Sequence, residues 1–402
     1  MGGGLLQLVA YGAQDVYLTG NPQITFWKVS YRRYTNFSME AIAQDFNGTA
    51  QLGGRVTCQI SRNGDLIHKM YLEVTSAGAV GALAQATCRA AAFAMLNYVE
   101  VEIGGQRIDR HYGDWMFIWN KLTLPFGKFS GLSALATTEA TLTAGLRTTV
   151  PLEFWFCRNP GLALPLIALQ YHEVKVNIQF NSQALITDNV AVTDYQIGSA
   201  TLWVDYIFLD TDERRRMAQN PHEYLIDQLQ FTGEEALTGG TNVSNASIRL
   251  NFNHPVKELV WVLQLADDQD SAARFDTFVS MRDTANCNLQ LNGQERFSKR
   301  NPDYFSIIQP LQCHSNIPMG VGFATTATTT PSNINVYSFA LRPEEHQPSG
   351  TCNFSRIDSA TLNFQYRGDG TAAQRVTRAR VYAVNYNVLR IMSGMGGLAY
   401  SN

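Results

Sequence analysis

Histidine followed by glutamate is the pair with which metalloproteases hold zinc and activate water, and it occurs twice, at His172-Glu173 and His222-Glu223. In each case the position that must supply the second histidine is aliphatic, Val176 and Ile226, so the HExxH arrangement is absent. No two of the seven histidines are one residue apart, the spacing on which a cupin-type metal site depends. The six cysteines, Cys58, Cys88, Cys157, Cys287, Cys313 and Cys352, contain no CxxC pair and read as reduced core residues, neither a zinc grip nor a disulfide framework. Glycines 2–4 and 394–397 lack the strand-to-helix setting that aims backbone amides at a phosphate, and read as flexible arms. One acid–base set can be drawn, His111, Asp114, Glu173 and Glu345, with the residue types of a glycosidase. Nothing in their spacing brings the four together, and Asp109, Arg110, His111 and Asp114 are expected to anchor a short helix at the end of a sandwich. No catalytic residue, metal or cofactor is expected.

The binding residues divide in the same way. Trp115, Trp119 and Trp155 could stack on sugar rings, but each lies in an apolar run and reads as core. Arg214, Arg215 and Arg216 follow Glu213, and Arg32 adjoins Arg33; these runs are exposed helix faces or contacts to another subunit or an inner layer. The net charge of −3 offers no basic field for phosphates, so direct genome binding is not expected. Five Asn-x-Ser/Thr sequons begin at Asn36, Asn47, Asn242, Asn245 and Asn353. Asn242 and Asn245 fall in a Thr/Gly/Ser/Asn-rich stretch read as an exposed loop and are the best glycosylation candidates, whereas Asn36 and Asn353 sit in stretches that look structured. The N-terminus lacks a basic region followed by an apolar one, and residues 77–96 are broken by Gln85 and Arg89, so neither a secretory signal nor a membrane span is expected.

The elements that would position these residues are mostly strands. Val56, Cys58 and Ile60 alternate with Thr57, Gln59 and Ser61; Val99, Val101 and Ile103 with Glu100 and Glu102; Val174, Val176, Ile178 and Phe180 with Lys175, Asn177 and Gln179; Leu362, Phe364 and Tyr366 with Asn363 and Gln365. Period-2 alternation of this kind marks half-buried strands of a sandwich. Helices are predicted over 211–219, where Asp210 and Glu213 have capping-box spacing and Pro221 stops the run, over 111–121, where Trp115 and Trp119 share a face, and near residues 26–34. Charged residues make up 16% of the chain against roughly 25% in an average soluble protein, which favours a surface partly hidden by partners. Ile103-Gly104-Gly105-Gln106 is echoed by Leu291-Asn292-Gly293-Gln294, and Ile60 and Asn63 by Ile248 and Asn251, both at an offset of 188 (293 − 105; 248 − 60). A repeat of that length suits an eight-stranded sandwich with long loops. The chain is therefore divided into an arm (1–24), a first sandwich (25–210), a helical connector (211–224), a second sandwich (225–395) and a tail (396–402).

Longer runs carry a resemblance. Residues 8–33 (LVAYGAQDVYLTGNPQITFWKVSYRR), 59–66 (QISRNGDL), 103–115 (IGGQRIDRHYGDW), 159–174 (NPGLALPLIALQYHEV), 203–210 with the arginine helix after it, 337–358 (YSFALRPEEHQPSGTCNFSRID) and 385–400 (NYNVLRIMSGMGGLAY) resemble the major capsid proteins of nucleo-cytoplasmic large DNA viruses, in order and over essentially the whole chain. The resemblance implies an all-β fold of two consecutive eight-stranded jelly-roll sandwiches with short connector helices. It further implies homotrimers whose six blocks give a hexagonal outline, tiling against neighbouring capsomers in the shell of an icosahedral virion. Minor capsid proteins and an inner membrane are the implied partners beneath that shell, and outer loops face the host. A minor capsid paralogue and a carbohydrate-binding or carbohydrate-active double jelly roll remain open alternatives, since a fold alone assigns no function.

Overall fold

The computed structural model describes residues 6–7, 9–18, 34–79, 87–136, 139–141, 145–182, 195–237, 244–265, 278–281, 287–320, 331–366 and 376–400. The chain divides into a small unit, Met1–Ser38, and a large one, Met39–Asn402. In the small unit, the described residues include one short turn of helix, Asp15–Tyr17, whose approach is held by the Gly12 amide donating to Asp15 Oδ2 at 2.7 Å. The predicted helix near residues 26–34 lies outside the described residues, apart from Tyr34, as do Arg32 and Arg33.

The first set of strands comprises β1 (Phe37–Gln44), β2 (Arg55–Gln59), β3 (Leu66–Ala79), β4 (Thr87–Arg89), β5 (Leu96–Ile103), β6 (Gln106–Tyr112), β7 (Glu139–Thr141), β8 (Arg147–Pro151), β9 (Leu164–Pro165), β10 (Val174–Phe180) and β11 (Tyr195–Leu209). The second comprises β12 (His222–Ala236), β13 (Ser244–Arg249), β14 (Pro255–Leu265), β15 (Asn288–Leu291), β16 (Gln294–Glu295), β17 (Asn335–Ser338), β18 (Cys352–Asn353), β19 (Ala360–Tyr366), β20 (Val376–Met392) and β21 (Met395–Leu398). The first set forms sheets β1-β11-β3-β8 and β2-β10-β5-β6; the second forms β12-β20-β14-β17 and β13-β19-β15-β16. Leaving aside the short β4, β7, β9, β18 and β21, each set has eight strands, and both pair them in the order 1-8-3-6 and 2-7-4-5. Two facing antiparallel sheets wound in this way are a jelly roll, and the chain contains two.

The alternation read from the sequence sets the register. Cys58, Val176 and Val101 lie side by side across β2, β10 and β5, as do Val56, Ile178 and Val99, and all six are buried. The opposite face of the same sheet is polar: Glu100 is held by Arg55 at 2.7 Å and by Arg110 at 2.6 Å. The echoed segments occupy one place in both rolls. The turn joining β5 to β6 has Gly104 and Gly105 at φ +58° and +85°, and the turn joining β15 to β16 has Asn292 and Gly293 at +50° and +78°. A two-residue hairpin needs both central residues left-handed to match the strand twist, which is why glycine recurs at the second position of both turns.

Helix α1 (Gly113–Thr123) starts two residues later than predicted, because Tyr112 still pairs with Tyr98 in the sheet. It is followed by α2 (Phe126–Leu135). Helix α3 (Thr211–Gln219) has the predicted bounds, although the Asp210 carboxylate accepts from the Thr211 amide at 2.7 Å and does not reach Glu213. In the second roll a π-helical turn, Tyr304–Ile308, runs into α4 (Gln309–Cys313). Cys58, Cys157 and Cys287 are buried free thiols, and Cys313 and Cys352 are half-buried free thiols. Burial, with the Asp45 charge second, raises the Cys58 thiol to about 11, so it remains protonated. Two expectations need correction. Gly394–Gly397 is not a flexible arm: Ser393 and Gly394 make a left-handed turn, and β21 pairs back on β20 with Gly396 opposite Ile391. Asn245 is not in a loop but in β13, opposite Gln365 of β19, whose side chain donates to it at 2.9 Å. Asn242 lies outside the described residues.

Candidate functional site

The most elaborate constellation of polar and aromatic groups is the seam between the two jelly rolls. Its central piece is α1, in which every residue from Gly113 to Leu122 is buried. An amphipathic helix on one sandwich would keep a solvent face; α1 has none because the second roll covers it. Trp115 and Trp119 pack against one another with centroids 5.7 Å apart, and Trp115 reaches Tyr382 of β20 at 5.1 Å. Tyr112 packs edge-on against Phe231 of β12, which stacks on the same Tyr382. The three tryptophans read as core are core, and none faces a groove where a sugar could stack.

Hydrogen bonds fix the register of this apolar contact. The Asp114 carboxylate accepts from both the Arg380 guanidinium and the Tyr382 hydroxyl. Burial, reinforced by the adjacent Asp114 charge, pushes the Tyr382 hydroxyl far above its ordinary value, so it stays protonated and donates. Asp109 accepts the Leu229 amide at 3.1 Å while lying 3.0 Å from His111 Nε2. Gln228 donates to the Ile108 carbonyl and accepts from Asn387 at 2.9 Å. At the far end of α1 the buried Lys121 ammonium donates to the Gly320 carbonyl at 2.8 Å, and Asn316 donates to the Lys121 carbonyl at 2.9 Å. A contact docked out of register would bury Asp114, Tyr382 and Gln228 without these cross-seam partners, which makes the seam specific.

A second seam contact comes from the C-terminal hairpin. His172 Nδ1 lies 2.9 Å from the Gly396 carbonyl, Tyr171 donates its amide to the Gly394 carbonyl at 3.0 Å, and Leu398 donates to Gln106 Oε1 at 3.3 Å. A Cβ on Gly396 would come within 2.6 Å of the Leu169 Cδ2 methyl, which would have to shift for any larger residue to keep this approach. The connector helix α3 carries no fully buried residue. It docks on the first roll through Arg214, which pairs with the buried Asp65 at 2.9 Å, while Arg215 and Arg216 are exposed.

The acid–base set is not brought together. His111 pairs with Asp109, Asp114 with Arg380 and Tyr382, Glu173 with Lys175 at 3.4 Å and Glu345 with Arg342 at 2.9 Å. Of the four residues expected to anchor a short helix, Asp109, Arg110 and His111 lie in β6, where Arg110 pairs with Glu100, and Asp114 lies in the first turn of α1. Among the described residues no group of three or more His, Cys, Asp or Glu is placed to hold a metal ion. One buried cluster escaped the sequence reading: His314 lies 3.1 Å from Glu258 of β14 and 2.9 Å from Glu344, which also accepts the Ser315 amide at 2.8 Å. Its members come from three distant segments, and no spacing advertises them.

Comparison with known proteins agrees with this architecture. Residues 25–210 match a family model described as the N-terminus of the major capsid protein, and residues 213–397 match one described as the large eukaryotic DNA virus major capsid protein. The chain is 53% identical to the major capsid protein of Pyramimonas orientalis virus and 44% identical to that of Paramecium bursaria Chlorella virus 1, covering all of both chains in each case. Among solved structures, PBCV-1 VP54 superposes with a TM-score of 0.78 at 39% identity, over 94% of this chain and all of that one. With relatives this similar along their full length and two rolls wound in one strand order, the chain belongs to the major capsid protein family of large DNA viruses.

Proposed function

We propose that this chain tiles the outer shell of an icosahedral virion as a homotrimer, three copies contributing six similar jelly rolls to a capsomer of hexagonal outline. The observation that carries the reading is the seam: α1 locks two rolls of identical strand order into one rigid building block. Three such blocks need only one kind of threefold contact to approximate six-fold symmetry, and hexagonal units pack a large surface. The units of this assembly are an arm over 1–24, rolls over 25–210 and 225–395 joined by 211–224, and a tail over 396–402 whose first residues finish β21. Arg32, Arg33, Arg215 and Arg216 are our candidates for contacts with neighbouring capsomers, with minor capsid proteins or with a membrane beneath the shell. Arg214 is already engaged by Asp65. Outer loops would meet the host surface, and a sugar, if the shell carries one at a sequon, is better placed on Asn242 than on the strand residue Asn245.

The test is the size and outline of the purified protein. A particle of three times the 44.7 kDa chain mass, with six lobes and threefold symmetry in negative stain, is the expected result. A stable monomer at working concentration would overturn the reading. Removal of residues 1–24 should leave trimers intact while lowering the yield of closed shells.

A further inference from the structure

A lysine ammonium is a compact, strongly hydrated charge with three donors, and it is seldom taken wholly out of water. Lys257 of β14 is, with its side chain 1% exposed. It is the extra residue at an irregularity in the strand: Val256 lies opposite Asn385 and Glu258 opposite Val384, which leaves Lys257 without a partner on β20. Its carbonyl accepts the amides of Phe339 at 2.9 Å and Ala340 at 3.2 Å, so the backbone that carries the side chain is fixed. The side chain reaches over β20, its nitrogen 5.1 Å from the centroid of the Tyr386 ring, and ends 2.9 Å from Asp227 Oδ2 of β12. Tyr386 lies opposite Asp227 in the sheet, so amine, ring and carboxylate share one face.

The pair is poorly satisfied. Among the described residues the ammonium has one hydrogen-bond acceptor for its three protons, and Asp227 Oδ1 is buried without a donor. Burial, with the Asp227 and Glu258 charges next, raises the Tyr386 hydroxyl to about 12, so the ring between the two groups stays neutral. Two ions withdrawn from water are a stable arrangement only when their remaining protons and lone pairs are hydrogen-bonded as well. Here they are not. Condensation to an amide removes both charges and leaves a single N–H and a single C=O.

We infer that Lys257 and Asp227 are joined by an amide bond, a covalent cross-link from β12 to β14 across β20. In forming it the ammonium hands one proton to the carboxylate, and the free amine attacks Cγ of Asp227. The N–C bond forms, the bond from carbon to the protonated oxygen breaks, and a second proton from the nitrogen leaves with that oxygen as water. No oxidant or further reactant is required. With the nitrogen 2.9 Å from one carboxylate oxygen, the carbon bonded to that oxygen is close to the separation of about 3–3.5 Å from which held groups react. The Asp227 side chain, 11% exposed, gives the water its way out. At the offset of the repeat Lys257 corresponds to Lys69 of β3 (257 − 188 = 69), which is exposed, so the first roll has a free amine where the second has a buried one. The bond closes a loop of 30 residues (257 − 227) that contains β13. It ties β12, an edge strand that directly follows the connector, to the interior of its sheet and keeps it from peeling away under load.

The experiment is mass spectrometry of the purified full-length protein, intact and after denaturation and digestion with trypsin. Wild type should weigh one water less than its sequence. Trypsin should fail to cut after Lys257, and peptides 217–249 and 250–274 should be recovered as one branched species. K257R and D227A, checked for folding by circular dichroism, should have the full sequence mass. An amine-reactive label applied in denaturant should modify Lys69 and spare Lys257. A wild type at full mass that is cut after Lys257 overturns the bond, and so does a lost water that fragmentation places at any other pair of residues.

Discussion

His314 is a buried imidazole with a carboxylate on each side. Burial pulls its pKa down, but Glu258 and Glu344 outweigh that and lift it from 6.5 to about 9. Because the folded value lies above the unfolded one, the charged histidine stabilises the fold fully below about pH 6.5, and the contribution disappears as pH rises through about 9. The second roll should therefore lose about 3 kcal/mol between those limits, seen as a falling melting temperature from pH 6.5 to 9.5. In H314Q that slope should flatten, and a slope as steep as wild type would refute the assignment. Asp114 is the other residue on which much depends. D114A leaves the buried Tyr382 hydroxyl without its acceptor and Arg380 with Glu234 as its remaining carboxylate, at a cost of about 3 kcal/mol in denaturant unfolding. Y382F, which loses one hydroxyl and keeps the ring stacked on Phe231, should cost about half as much.

At the level of elements, the C-terminal hairpin shows how a strand can depend on one missing methyl group. G396V would push a side chain into Leu169, 2.6 Å from the Cβ position, costing about 1–3 kcal/mol. Hydrogen exchange should then quicken at the Leu398 amide, while the strands of the first core stay protected. Strands such as β2, β5, β10 and β19 could be read from the sequence because one face of each packs into a core and the other carries polar side chains, some of them, such as Glu100 and Asn177, buried but hydrogen-bonded, so hydrophobicity alternates. The two echoed turns were legible because a left-handed pair demands glycine. Other elements hid for physical reasons. The second roll's helical segment is interrupted by Pro310 and has Ser306 and Gln309 on its inner side, so it lacks a helical stripe. The C-terminal hairpin did leave a signal, Ser393-Gly394 between two apolar runs, which is turn chemistry that outweighs mere glycine content. The sequence places α1 on a helix but cannot say that a second sandwich covers its far side, because burial by a distant partner leaves no period.

Across the whole molecule, one continuous apolar cluster includes the interior of the first roll and the outer face of the second, while a separate cluster fills the second roll. The rolls of the large unit should therefore melt together. Calorimetry of the wild type is expected to give a single transition for both, and W115A, which opens a cavity at the centre of the seam, should cost about 3–5 kcal/mol and split that transition in two. A second roll expressed alone, over residues 222–400, should aggregate, since Val260, Val262, Val336 and Val384 would lie bare on its surface.

The α1 seam also has a consequence for dilution. A ring of six separate sandwiches would rely on six contacts that all weaken as the concentration of subunits falls. Joining the sandwiches in pairs along one chain gives half of those contacts a fixed effective concentration, of millimolar order for a short linker, however far the particles disperse. In the proposed trimer it would also reduce the bodies that must meet from six to three, removing part of the translational and rotational entropy lost on association. A particle released into open water is in effect infinitely dilute, and half of its sandwich-to-sandwich joints would be indifferent to that.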